Sequence, residues 1–283
     1  MPETIVLGPS LVEEAVLLSG QVGWNQSEAD WRRLLELDGA RGTGIREDGE
    51  LVATATVIAY GDRLAWIGMV IVREDQRGRG LGRTVLRRSL ELAQEAGVAA
   101  VGLDATRFGE PLYRTAGFEA VQAVERWAGS LAAPTSGASS AGATAITMES
   151  LAEVADFDLE ATGVDRRTLL ENLLREPANA GWFTRTGPGV SGYAIVRPGR
   201  EQWQLGPLVA SGEGQISELL MAAARRLQGE PVLMDVLDSE LTTVLLGRAG
   251  LASQRRLSRM SLQGRPPTLT GAAVRLAAGL ELG

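Results

Sequence analysis

The residue types and spacings in this chain that could do chemistry gather in Val70–Leu90, VIVREDQRGRGLGRTVLRRSL. An apolar run gives way to glycines at every second position, Gly78, Gly80 and Gly82, interleaved with Arg77, Arg79 and Arg83. A helical pattern follows. Glycine permits positive φ and lets a ligand reach backbone N–H groups with no Cβ in the way. The first turn of a helix adds unsatisfied donors and the positive end of the helix dipole, so strand, glycine loop and helix together make a cradle for a pyrophosphate. The P-loop is excluded because no lysine follows these glycines, and Gly-x-Gly-x-Gly departs from the dinucleotide fingerprint.

The inventory limits what such a site could do. The chain of 283 residues contains neither histidine nor cysteine. Without cysteine there is no disulfide scaffold, thiolate metal site or cysteinyl intermediate. Without histidine, acid–base work falls to carboxylates, tyrosine, amines or water. A formal net charge of −7 argues against a general nucleic-acid binder and tilts the expected acceptor toward cations. No opening signal segment and no run of about 18 apolar residues is apparent, so a cytoplasmic protein with no membrane association is expected.

Stepping outward from the loop, the elements that must position it are readable. Helices are expected at Pro9–Ser19 and Ser27–Leu37, strands at Leu51–Tyr60 and Ala65–Val72, with a turn at Asp48–Glu50. After the loop come a helix ending at Gly97, a strand through Ala99–Ala105, a short helix through Glu110–Gly117 and a closing strand. Leu81, Val85, Leu86, Leu90 and Ala93 share one face of the long helix. The small-residue stretch Ser130–Ala145 reads as a linker. Beyond it the outline repeats: Gly68, Asp104 and Gly117 match Gly206, Asp235 and Gly250. The second copy has SGEGQISELL where the first has DQRGRGLGRTVL, and lacks the arginines. The expected division is residues 1–130 for a first domain, 131–145 for a flexible linker, 146–265 for a degenerate second domain, and 266–283 for an amphipathic helical tail.

RGRGLG (Arg77–Gly82) resembles the acyl-CoA pyrophosphate loop of the GCN5-related N-acetyltransferase (GNAT) superfamily, and LYRTAGF (Leu112–Phe118) resembles that family's later helix-to-strand motif. GWNQSEADW and GLDAT add a likeness to a tandem subgroup whose second copy is degenerate. The resemblance implies an α/β fold of two domains, each a mixed, mostly antiparallel twisted sheet flanked by helices. It also implies acetyl-CoA as cofactor and transfer of its acetyl group to a primary amine by direct attack in a ternary complex. The acceptor is expected to be a small-molecule amine, and the chain a monomer or homodimer. Cofactor contacts are expected from Met69, Val70, Ile71 and Val72 on the strand and from Arg77, Gly78, Arg79, Gly80, Leu81, Gly82, Arg83 and Thr84 on the loop and helix. A strand N–H would stabilise an oxyanion, and Tyr113 would protonate the departing thiolate. Asp104, Glu110 or water would serve as base. Trp24, Asn25, Tyr60 and Trp66 are candidates for the substrate pocket, and Asp165, Tyr193, Asp235 and Asp238 for gripping a cationic acceptor. The same residues also suit an acetyl-CoA sensor that performs no transfer.

Overall fold

A computed structural model describes residues 2–131, 142–237, 240–262 and 273–283. The first half runs β1 (Glu3–Leu7), α1 (Val12–Gln21), α2 (Glu28–Glu36), β2 (Ala40–Glu47), β3 (Glu50–Tyr60), β4 (Leu64–Val72), α3 (Leu81–Glu95), β5 (Ala100–Ala105), α4 (Glu110–Thr115) and β6 (Glu119–Ser130). The second runs β7 (Thr144–Ala145), α5 (Leu151–Thr162), α6 (Arg167–Arg175), β8 (Ala180–Thr186), β9 (Gly189–Pro198), β10 (Trp203–Ala210), α7 (Glu213–Leu227), β11 (Pro231–Leu237), α8 (Glu240–Arg248) and β12 (Leu251–Leu262). The short β13 (Val274–Leu276) closes the chain's secondary structure. From α1 and from α5 onward the two halves have the same order of elements. No helix among the described residues is long and apolar enough to cross a membrane.

Local chemistry accounts for several boundaries. Ser27 caps α2: its hydroxyl accepts from the Asp30 N–H at 3.3 Å, and the Asp30 carboxylate accepts from the Ser27 N–H at 2.9 Å. β1 and β2 escape a pattern reading because glycines interrupt the alternation in β2. A Cβ at Gly42 would lie 2.6 Å from the Leu35 side chain and 2.7 Å from Leu7, so the glycine is there for close packing rather than for a turn. α1 and α2 pack on β2 and β3, and α3 packs across β2, β3 and β4 on the other face.

The two halves share one sheet of 13 strands, ordered β1-β2-β3-β4-β5-β12-β6-β11-β13-β10-β9-β8-β7. The last strands are exchanged. β12 lies against β5 of the first half, with Ser258 opposite Ala105, while β6 lies against β11 of the second. β6 and β12 then pair with each other along most of their length. Separate sheets, as the repeat suggests, are therefore fused through their closing strands. The ends of the expected linker belong to this fabric: Leu131 is buried in the second core and Thr144–Ala145 pair with β8. Residues 132–141 lie outside the described residues.

Within each half one pair of strands splays. β4 and β5 run parallel and pair only at Leu64–Trp66 with Ala100–Gly102; β10 and β11 pair only at Trp203–Gln204 with Val232–Leu233. The first splay stays open. The second is filled by β13, which pairs with Leu208 and Val209 of β10 and with Val236 of β11. This corrects the expectation of a helical tail over 266–283: residues 266–272 lie outside the described ones, Val274–Leu276 are strand, and Ala277–Gly283 run without helix between the halves. The open edges of β10 and β11 leave backbone groups that need partners, and that requirement outweighs helix propensity.

The matched glycines Gly68 and Gly206 both make room for this tail. A Cβ on Gly206 would meet the Ala277 carbonyl oxygen at 2.1 Å, and one on Gly68 would meet Glu281 Cα at 2.9 Å. Gly206→Ala is expected to destabilise the fold by about 1–3 kcal/mol through overpacking, read as a lower urea midpoint; an unchanged midpoint would show the tail to be dispensable.

Candidate active site

The open splay between β4 and β5 leads into two adjoining cavities. The outer one, of about 720 Å³, is bordered by Val70–Val72, the glycine loop, Phe108 and Leu112. The inner chamber, of about 40 Å³, is bordered by Gln26, Gly68, Met69, Arg126, Leu257 and Glu281. Trp24, Val70, Asp104, Thr106, Tyr113 and Arg255 line both.

The loop is shaped as a cradle. Gly78 and Gly80 have φ of 78° and 82°, and a Cβ on either would meet no atom within 4 Å. Gly80 is the N-cap of α3 and no side chain caps it. The helix's first closing bond runs from Thr84 N–H to the Gly80 carbonyl at 3.1 Å, so the N–H groups of Leu81, Gly82 and Arg83 have no partner within the helix. The Arg77 guanidinium sits 5.2 Å from the Phe108 ring centroid, joining the loop to the β5–α4 connection. Gly78, Gly80, Leu81, Gly82, Arg77 and Arg83 all border the outer cavity. Arg79 and Thr84 do not. Arg79 is paired with Glu47 at 2.8 Å and with Gln76, and Thr84 donates its hydroxyl to Gly80 at 3.3 Å.

On β4 the pairing with β3 is interrupted between Gly68 and Ile71, opposite Ala55. Met69 sits in this bulge with φ of 50°, and its carbonyl accepts from the Thr54 hydroxyl at 2.9 Å. Bulge backbone thus borders the junction of the two cavities rather than continuing the ladder.

Tyr113 stands at the same junction. Its ring packs edge-on against Phe118 at 6.1 Å. No group among the described residues hydrogen-bonds its hydroxyl. Burial pushes the phenol well above its ordinary pKa, so it is a proton donor throughout the neutral range.

The two expected bases are placed differently. Asp104, fully buried, gives both oxygens to Arg259, at 2.9 and 2.8 Å, and Arg259 lies 4.6 Å over the Trp66 ring. Burial raises its pKa against the pull of Arg259. Glu110 lines neither cavity. It accepts from Arg114 at 2.8 Å and Ser258 at 3.0 Å, which hold its carboxyl below the usual range and make it a poor base.

Of the four substrate-pocket candidates only Trp24 borders the cavities. Asn25 is spent on the connection after β9: it donates to the Gln202 carbonyl at 2.9 Å and accepts from the N–H groups of Glu201 and Gln202 at 3.0 Å. Tyr60 and Trp66 are buried and donate to the Leu282 and Leu280 carbonyls at 2.7 and 2.9 Å. Those two side chains fasten the tail.

The candidate cation-gripping groups of the second half are also committed. Asp165 accepts from the Arg167 N–H, Tyr193 is buried against Asp158 and Arg166, and Asp235 takes a bidentate pair from Arg126 at 2.8 and 2.9 Å. Asp238 lies outside the described residues.

Sequence reasoning missed Gln26, Thr106, Arg126, Arg255, Leu257 and Glu281. Gln26 stands one residue beyond Asn25, and only there was a local signal available. Glu281 is buried beside Gly68. Its carboxylate accepts from Gln26 at 2.9 Å and from Arg197 at 2.9 Å, and Arg197 also donates to Asp30 at 3.0 Å. Burial raises the Glu281 carboxyl, whereas Arg197 and Arg33 hold Asp30 low in spite of its burial. Since Arg126, β12 and the tail all contribute, the inner chamber is built by both halves together.

Comparison with known proteins agrees with this architecture. The acetyltransferase (GNAT) family model matches residues 17–118 and an acetyltransferase (GNAT) domain model matches 154–273. Holothin acyltransferase of Pseudoalteromonas sp. (strain SANK 73390) is 29% identical over 83% of this chain and 78% of its own length. The uncharacterised N-acetyltransferase YitH of Bacillus subtilis (strain 168) is 26% identical, over 83% and 82%. A crystal structure from Pyrococcus horikoshii, described as that of "a putative acetyltransferase", superposes with a TM-score of 0.82 at 20% identity, covering 100% of this chain and 96% of that one. A tandem GNAT protein from the clavulanic acid biosynthesis pathway gives 0.65 at 14% identity, covering 94% and 99%. With a GNAT domain in each half, the chain belongs to the GNAT acyltransferases as a tandem-domain member.

Proposed function

We propose that the chain transfers an acetyl group from acetyl-CoA to the primary amine of a small molecule, with the cofactor held by the first half only. The observation that carries this reading is the contrast between the two splays. Beside the first stands an open cradle whose Gly78 and Gly80 present no Cβ and whose helix start presents unsatisfied N–H donors. The corresponding opening in the second half is occupied by the chain's own β13.

The residues of the first cleft fit the cofactor. Leu81, Gly82 and Arg83 N–H groups, with Arg77 and Arg83 side chains, would hold the pyrophosphate, and Val70–Val72 would run beside the pantetheine arm. Acetyl-CoA supplies an acetyl group activated as a thioester. N–H groups at the Met69–Val70 bulge polarise the carbonyl that reacts. Tyr113, protonated and without a hydrogen-bond partner among the described residues, supplies the proton that the departing sulfur needs. The relative named for holothin acylation supports acyl transfer as the reaction.

Calorimetric titration with acetyl-CoA tests the reading. Wild type is expected to bind one equivalent, and Gly80→Glu, which places bulk and negative charge in the cradle, is expected to weaken binding at least about twentyfold. Two equivalents, or no binding by wild type, would overturn it.

A further inference from the structure

Among the described residues the carboxylates that border the two cavities are Asp104 and Glu281, and both are neutralised from behind. Asp104 is locked on Arg259, and Glu281 on Arg197 and Gln26. The cations at the inner end are Arg126 and Arg255. Arg126 is matched by Asp235. Arg255, contributed by the exchanged strand β12, lines both cavities and has no ion-pair or hydrogen-bond partner among the described residues. The uncompensated charge at the acceptor end is therefore positive. One acceptor atom there is also unspent, and it is neutral: Oε1 of Gln26 is buried with no hydrogen-bond partner, its amide held by the Glu281 carboxylate on the NH₂ side.

We propose, building on the acetyl-transfer reading above, that the acceptor amine carries no positive charge when it binds, and that Arg255 sets this preference by repelling ammonium groups at the chamber mouth. A protein lysine, a polyamine or another strongly basic alkylamine is disfavoured; a weakly basic arylamine or heteroarylamine suits the site. The acidic net charge of the whole chain, which points toward cationic acceptors, does not carry over to this chamber.

The same arrangement disposes of the missing base. An N–C bond forms as the C–S bond breaks, the nitrogen loses one proton and the sulfur gains one. With an uncharged amine these balance: Tyr113 gives its proton to sulfur and is reprotonated, through water in the cleft, by the proton that nitrogen sheds. An ammonium ion would bring one proton more, and the two carboxylates at hand are already engaged.

The test compares aniline with benzylamine as acceptors at pH 7, following thiol release from acetyl-CoA, in wild type and in Arg255→Glu. Arg255 is an exposed strand position, so the variant folds, as circular dichroism will verify. Wild type is expected to show kcat/KM at least tenfold higher for aniline, although benzylamine is the better nucleophile when deprotonated. Raising the pH toward 9 is expected to narrow the gap as free benzylamine becomes available. Arg255→Glu is expected to lower the aniline-to-benzylamine ratio at least tenfold, chiefly through a smaller KM for benzylamine. Equal or better use of benzylamine by wild type at pH 7, or an unchanged ratio in the variant, would overturn the proposal. The cofactor reading is decided separately by acetyl-CoA calorimetry on the same wild-type protein, so the two failures are distinguishable.

Discussion

Replacing Tyr113 with phenylalanine is expected to lower kcat by about 10²–10³ while leaving acetyl-CoA affinity within about twofold. The prediction follows from what the hydroxyl does and does not touch. No group among the described residues hydrogen-bonds it: the ring packs against Phe118 through its edge, and phenylalanine preserves that contact. Tyr113 instead borders both cavities, and burial keeps its hydroxyl protonated. Its removal should therefore deprive the departing sulfur of a proton without disturbing the cradle, which lies along Arg77–Arg83. A second measurement separates this role from simple shaping of the pocket. A thioester whose thiol is a stronger acid needs less help in leaving, so the deficit of Tyr113→Phe should shrink with it. If the variant stayed within threefold of wild type, or lost equally with both thioesters, Tyr113 would be a wall of the cleft and water the proton source.

The glycine-loop end of this cleft was legible in the sequence because it is local. RGRGLG, the strand before it and the helix after it are consecutive, so spacing alone brings Gly78, Gly80 and the α3 N-terminus together. LYRTAGF was legible for the same reason, and so was the repeat. The inner chamber was not, because it depends on pairings across more than 100 residues. Arg255 reaches the chamber through the register of β12 on β5, where Ser258 stands opposite Ala105, and no local pattern records that register. Glu281 arrives on a tail whose composition favours helix but whose course is set by the open edges of β10 and β11 and by the space over Gly68 and Gly206. Asn25 shows the complementary error. A polar residue beside a tryptophan in a loop reads as a ligand contact, yet its amide is saturated by backbone from the other half.

The pair Asp104–Arg259 predicts a large stability effect from one carboxamide substitution. Both side chains are fully buried, joined by two hydrogen bonds, and they connect β5 of the first half to the exchanged strand of the second. Asp104→Asn keeps the shape and removes the negative charge that faces the buried Arg259 guanidinium. Breaking such a pair from one side costs about 3–5 kcal/mol, and the penalty for Asn should fall near the lower figure because the amide oxygen still accepts one bond. In a chain of this size that corresponds to a fall in melting temperature of roughly 6–12 °C. The double variant Asp104→Asn, Arg259→Met removes the buried positive charge as well and sets an apolar chain against the Trp66 ring, so it should recover part of the loss. Catalysis discriminates further. A general base deleted by amidation would lower turnover by 10² or more, whereas a structural pair predicts less than a tenfold change per folded molecule, measured well below the melting transition. Asp104→Asn that melts like wild type yet fails to turn over would restore Asp104 as the base, and with it the expectation of a charged acceptor amine.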